Sequence, residues 1–207
     1  MEKTDFVISG DTLTKYNGTD EVVRIPDGVK TVGYQSMCWR RGIRKIVLPE
    51  GIETIYTDSI EGCEDLCEIN LPESLRSIGG NAFKYSKLEE LRFPDGITSI
   101  GYAAMAGCRK LRLVTLPCGL DKIADRLFCD CESLHSVTIP DGVTYIGRGA
   151  FERSGIEEIR LPHGVEHISN FAFADCPNLR LVYIPKTVTG IGDQAFFRSP
   201  NAELIYE

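Results

Sequence analysis

The sequence predicts a β-rich, right-handed parallel solenoid of eight repeats, each 22 or 23 residues long. Three observations predict it. Prolines recur at Pro26, Pro49, Pro72, Pro94, Pro117, Pro140, Pro162 and Pro185, and a fixed period in this range is the mark of stacked repeats. Apolar columns keep step with them. Three residues before each proline stand Val23, Ile46, Ile69, Leu91, Val114, Val137, Ile159 and Val182; eleven after come Met37, Ile60, Phe83, Met105, Phe128, Phe151, Phe173 and Phe196. Third, the residues leading into each proline alternate apolar and polar, as in Leu179–Ile184, the period of a half-buried strand.

Residues 1–22 precede the first repeat and read as a hairpin followed by a turn, with Phe6-Val7-Ile8 and Thr12–Tyr16 as its arms. This is the expected cap, covering the apolar face and open edge of the first rung. The repeats then fill 23–198. In each, a strand ends at the proline, which has no N–H to give a ladder. A turn follows, P-D-G or P-E-G in four copies. Apolar residues three and six after the proline mark a second, shorter strand. The A-F-x-x-C piece is too short for a real helix and predicts one helical or 3₁₀ turn. Parallel strands on successive turns require crossovers, which are right-handed by chirality.

Two kinds of detail punctuate the rungs. Glycines seven after the proline (Gly33, Gly79, Gly101, Gly147 and Gly192) read as turn glycines. Rung one carries the single tryptophan, Trp39, before Arg40 and Arg41; a large aromatic is expected to pack over the rung's edge and be mostly buried, the alternative being an exposed contact site beside the two arginines. The rungs Pro72–Pro94 and Pro140–Pro162 lose one residue in a surface turn. Residues 199–207 parallel Cys176–Ile184 as a weakened, charged terminal strand.

The pattern L-x-x-I-x-[IL]-P-x-x-[VI]-x-x-I-x-x-x-A-F-x-x-C, fitted nearly throughout by Leu134–Cys176, resembles the BspA-like leucine-rich repeats over about residues 20–207. The resemblance implies the leucine-rich-repeat class of fold, formally α/β but β-rich, and one solenoid domain over 1–207. It also implies no catalytic residues, and a setting among bacterial surface and adhesion proteins.

The formal charge is −7, which argues against nucleic acid as a partner. No apolar run reaches the length of a membrane span, so no membrane insertion is expected. MEKTDFVISG has no apolar core of a signal peptide. The chain as given reads as cytoplasmic, and as a cell-surface or secreted protein if a leader has been removed. Four of the eight cysteines (Cys63, Cys108, Cys131 and Cys176) share one column with Ser86 and Ser154. That pairing reads as small, buried, reduced side chains, with a Cys108–Cys131 disulfide as the alternative. Cys63-x₃-Cys67 lacks the second pair a zinc site needs, and His163 and His167 flank a turn, so no metal and no cofactor is expected. His135, His163 and His167 read as solvated. No nucleophile, phosphate-loop or metal motif occurs, and an enzyme is not expected.

What remains is surface. The polar strand positions, two and four before each proline, point outward and should form a continuous sheet face, the usual contact surface of a solenoid. The candidate binding residues on this face are Arg24, Lys45, Arg92, Arg160, Arg180, Leu181 and Tyr183, with Arg180, Leu181 and Tyr183 together on one rung. The expected function is a non-enzymatic scaffold binding a protein or other macromolecule, or an adhesion module. The alternative is a structural or self-assembling spacer, monomeric or weakly self-associating.

Overall fold

The structure, a computed structural model, describes residues 5–207. The chain opens with an antiparallel hairpin, β1 (Phe6–Ser9) and β2 (Thr12–Tyr16). Each later turn but the sixth carries one strand before its proline and a two-residue strand after it. Rungs one to four hold β3 (Val22–Arg24) and β4 (Thr31–Val32), β5 (Lys45–Val47) and β6 (Thr54–Ile55), β7 (Glu68–Ile69) and β8 (Ser77–Ile78), and β9 (Glu90–Arg92) and β10 (Ser99–Ile100). Rung five holds β11 (Leu113–Thr115) and β12 (Lys122–Ile123), and rung six only β13 (Tyr145–Ile146). Rungs seven and eight hold β14 (Glu158–Arg160) and β15 (His167–Ile168), then β16 (Leu181–Ile184) and β17 (Gly190–Ile191), and β18 (Glu203–Tyr206) follows. All pairings between rungs are parallel and in register, column against column, as in Val22↔Lys45 and Ile146↔Ile168.

The hairpin joins the second-strand side: β2 pairs with β4, placing Leu13 against Val32. Leu13 and Tyr16 are fully buried, and the Tyr16 hydroxyl lies 3.0 Å from the Asp20 carboxylate. Arg40 donates to the Tyr16 carbonyl and ties rung one to the cap.

Neither ladder runs the whole rod, which corrects the expected continuous face. The second strands form a six-stranded sheet, β1-β2-β4-β6-β8-β10, and a four-stranded one, β12-β13-β15-β17. The first strands form three pieces, β3-β5-β7, β9-β11 and β14-β16-β18. Both 22-residue rungs, Pro72–Pro94 and Pro140–Pro162, coincide with a break on the first-strand side. The second-strand ladder crosses both short rungs in register, as in Ser77↔Ser99 and Tyr145↔His167, and breaks between β10 and β12 instead.

The A-F-x-x-C piece contains no residue in α- or 3₁₀-helix, which corrects the expected helical turn. Its residues alternate instead. In rung two the N–H groups of Asp58, Ile60 and Gly62 reach the carbonyls of Gly80, Ala82 and Lys84 in rung three, at 2.9, 3.1 and 2.9 Å. Between them, Ser59, Glu61 and Cys63 bond back to Tyr56, Asp58 and Ile60. The geometry follows from left-handed residues four apart, Asp58 at φ 57° and Gly62 at φ 71°. A helix needs negative φ at every position, so these reversals exclude it. The piece is a third, ladder-bonded wall of the rod.

The core is the filling between the walls. Met37, Ile60, Phe83, Met105, Phe128, Phe151 and Phe173 are fully buried, and Phe196 packs on them partly covered. The phenylalanines stack face to face, Phe151 on Phe173 at 5.3 Å with ring planes 2° apart. The glycines seven after the proline are there for closeness, not for turn conformation. A Cβ on Gly101 or Gly147 would sit 2.5 Å from the backbone nitrogen of Gly80 or Asp125 in the preceding rung.

Candidate binding surface

The cysteine column shows how the walls are joined. Cys63, Cys108, Cys131 and Cys176 are buried free thiols. Each Sγ faces a backbone carbonyl of the core column, on Met37, Phe83, Met105 and Phe151, at 3.0, 3.2, 3.3 and 3.0 Å. Ser199 makes the same bond to Phe173 at 2.7 Å. The column therefore wants a small side chain with a donor, which is why cysteine and serine share it. Burial pushes the Cys63 and Cys108 thiols up to about 11. These groups are locked, protonated and out of reach, so they are not nucleophiles.

Among the described residues, no group of three or more His, Cys, Asp or Glu side chains is placed to hold a metal, and His135, His163 and His167 are exposed. Among the described residues, no helix is long and apolar enough to cross a membrane.

The predicted face splits with its sheets. Arg24 is exposed on β3, and Lys45 on β5 pairs with Glu68 at 2.6 Å. Arg92 is exposed on β9, one sheet further on. The sheet β14-β16-β18 brings Arg160, Leu181 and Tyr183 together, with Arg180 beside them. Arg160 stands opposite Tyr183 in the register, its guanidinium 3.8 Å from the ring centroid, and its other partner is the Glu207 carboxylate. Leu181 and Tyr183 are half-buried, and Arg180 pairs with Glu157 at 2.7 Å. Lys45 and Arg180 meet a carboxylate one rung away and Arg160 one two rungs away, each exposed pair worth about 0–1 kcal/mol.

Two aromatic features lie elsewhere. Tyr34, Tyr56, Tyr102 and Tyr145 are exposed along the edge of the second-strand side, next to the outward hydroxyls of Thr31, Thr54, Ser77 and Ser99. Trp39 is 55 % exposed, against the expected burial. It occupies the outermost column of the third wall, thirteen residues after the proline, which reads Trp39, Gly62, Tyr85, Gly107, Asp130, Arg153, Asp175, Arg198. All eight residues have φ between 52° and 71°. This backbone turns the side chains flat along the rod. The alternation of large residue and glycine, then of acid and base, was readable in the sequence. That the column faces outward was not.

The fold has solved relatives. A leucine rich cell surface protein from Faecalibacterium prausnitzii superposes at TM-score 0.71 with 23 % identity, over 98 % of this chain and 74 % of that one. A T. pallidum leucine rich repeat protein gives 0.70 and 25 % identity, over 93 % and 85 %. A leucine-rich repeat protein from Bacteroides ovatus gives 0.63 and 23 % identity, over 100 % and 68 %. No curated protein sequence matches the chain. The BspA type leucine rich repeat region matches residues 16–112 and 104–206, with 6 copies, and the chain belongs to that family.

Proposed function

We propose that this chain is a non-enzymatic binding scaffold that docks a protein partner on the outer face of its first-strand sheets. The observation that carries the reading is the cluster on β14-β16-β18. The Arg160 guanidinium lies 3.8 Å over the Tyr183 ring, beside half-buried Leu181 and next to Arg180. Tyrosine and arginine held rigid before binding lose little entropy on contact, which is what an interface anchor requires. Arg24, Lys45 and Arg92 extend the face toward the earlier rungs. A structural relative is described as a cell surface protein, which suits an adhesion setting for this chain as well.

The exposed tyrosines favour a second docking face. Tyr34, Tyr56, Tyr102 and Tyr145 beside a row of hydroxyls have the composition of recognition surfaces that combine rigid aromatics with adaptable hydrogen bonding.

The test is site-specific photo-crosslinking, with a photoreactive residue at Tyr183, at Tyr56 or, as control, at exposed Arg126 on the third wall. A discrete adduct from position 183 that Arg160→Glu abolishes supports the first face. Adducts from position 56 alone move the site to the tyrosines. Adducts from neither, in extracts of the cells that carry the protein and of the cells they touch, refute docking and leave the spacer role.

A further inference from the structure

Trp39 and Tyr85 are seated on glycine. The Trp39 ring covers Gly62 and the Tyr85 ring covers Gly107, so closely that any Cβ at either glycine would collide with the ring above it. The two rings come within 6.2 Å of one another at 43°. Each therefore has one face against backbone and the other turned to solvent, with Trp39 55 % and Tyr85 42 % exposed. Exposing so much apolar area forfeits stabilisation at about 25 cal/mol per Å².

The rim is polar and mixed. A groove of about 380 Å³ opens beside Tyr85, and Lys87, Arg109, Lys110 and Glu64 contribute its charged groups. Of these three cations, Lys87 pairs with Asp65 at 3.1 Å and Arg109 with Glu132 at 3.3 Å, which leaves the charge of Lys110 uncommitted. Arg41 neutralises Glu64 at 2.5 Å, and Lys84 lies 5.0 Å from the Tyr85 centroid while pairing with Glu61 at 3.1 Å. Lys110 has no carboxylate partner among the described residues.

We propose that the Trp39–Tyr85 platform and its adjoining groove bind an acidic oligosaccharide. A pyranose ring offers a face of C–H bonds with partial positive charge, which matches the negative face of an aromatic ring. Its hydroxyls donate to carboxylates such as Glu64 and Glu61. A carboxylate or sulfate on the sugar meets Lys110, Lys87 and Arg109. Single-stranded nucleic acid also stacks on aromatics, but it brings a phosphate at every step and gains nothing from Glu61, Glu64 and Asp65 along the rim. The inference rests on reading the chain as a binding scaffold, but on a different wall from Arg160 and Tyr183.

Trp39 is the single tryptophan, so emission excited beyond the tyrosine absorption band reads this site alone. The full chain is titrated with hexagalacturonate, a sulfated hexasaccharide, maltohexaose and a hexathymidylate. A saturating shift in Trp39 emission with either acidic sugar, weakened at least tenfold by Tyr85→Ala and by Lys110→Glu and at higher salt, supports the proposal. Which acidic sugar binds tells carboxylate from sulfate. Arg160→Ala leaves the titration unchanged, so the outcome does not depend on the first-strand face. No shift with either acidic sugar, equal binding of maltohexaose, or tighter binding of the hexathymidylate overturns it. Tyr85 and Lys110 are exposed, and unchanged melting of the two variants separates lost binding from lost fold.

Discussion

Phe151→Ala tests the stack at its centre. The Phe151 ring is fully buried between Phe128, 5.5 Å away at 22°, and Phe173, 5.3 Å away at 2°. Its backbone bonds survive the change: the N–H reaches Ala172 at 2.8 Å and the carbonyl accepts from Cys176 at 3.0 Å. The cost is therefore the ring alone. Transfer and cavity together come to about 3–5 kcal/mol, which already contains the two stacked contacts. Phe196 is partly buried and has one stacked neighbour, Phe173, at 5.5 Å, so Phe196→Ala removes about half as much, roughly 2 kcal/mol. Urea unfolding followed by far-ultraviolet circular dichroism measures both. Because each rung touches only its neighbours, the central variant also uncouples the two halves, and its transition broadens. A Phe151→Ala loss below about 1 kcal/mol, or a Phe196→Ala loss equal to it, would refute the stacked-core account.

Two further outcomes follow from buried polar groups. Ser59 Oγ is fully buried with no hydrogen-bond partner, in a column that elsewhere holds Ala82, Ala104, Ala150 and Ala172. Ser59→Ala should raise stability by about 1 kcal/mol in the same urea assay, and a loss would mean the hydroxyl is satisfied. Desolvation raises Cys63 and Cys108 to about 11 from an ordinary 9.0. Their contribution is intact below the unfolded value and is lost as pH rises toward the folded one, because only the unfolded chain ionises in between. Between about pH 8 and pH 10 the two thiols together should remove roughly 2–3 kcal/mol. Cys129, Cys131 and Cys176 are raised as well and add to the same slope, so Cys108→Ser should lessen the loss by one thiol's share, roughly 1.3 kcal/mol, and an unchanged slope would place the thiol in contact with water.

Much of this rod is legible in one dimension. The prolines, the inward columns and the core phenylalanines follow from period alone, because each rung must repeat the geometry of the one beneath it. Three things needed the stacked chain. The sequence reads A-F-x-x-C as a helical turn, since local spacing cannot show that Asp58 and Gly62 take left-handed φ to send every second N–H to the next rung. It reads the face as continuous, since the period shows which strands are neighbours and not where their ladder bonds lapse. And it buries Trp39, since hydrophobicity alone favours burial. What exposes Trp39 is a glycine twenty-three residues away, Gly62, which gives the ring a flat seat on the outside of the rod. A period sets which residues share a column, whereas which way a column faces is decided only when the turns close on one another.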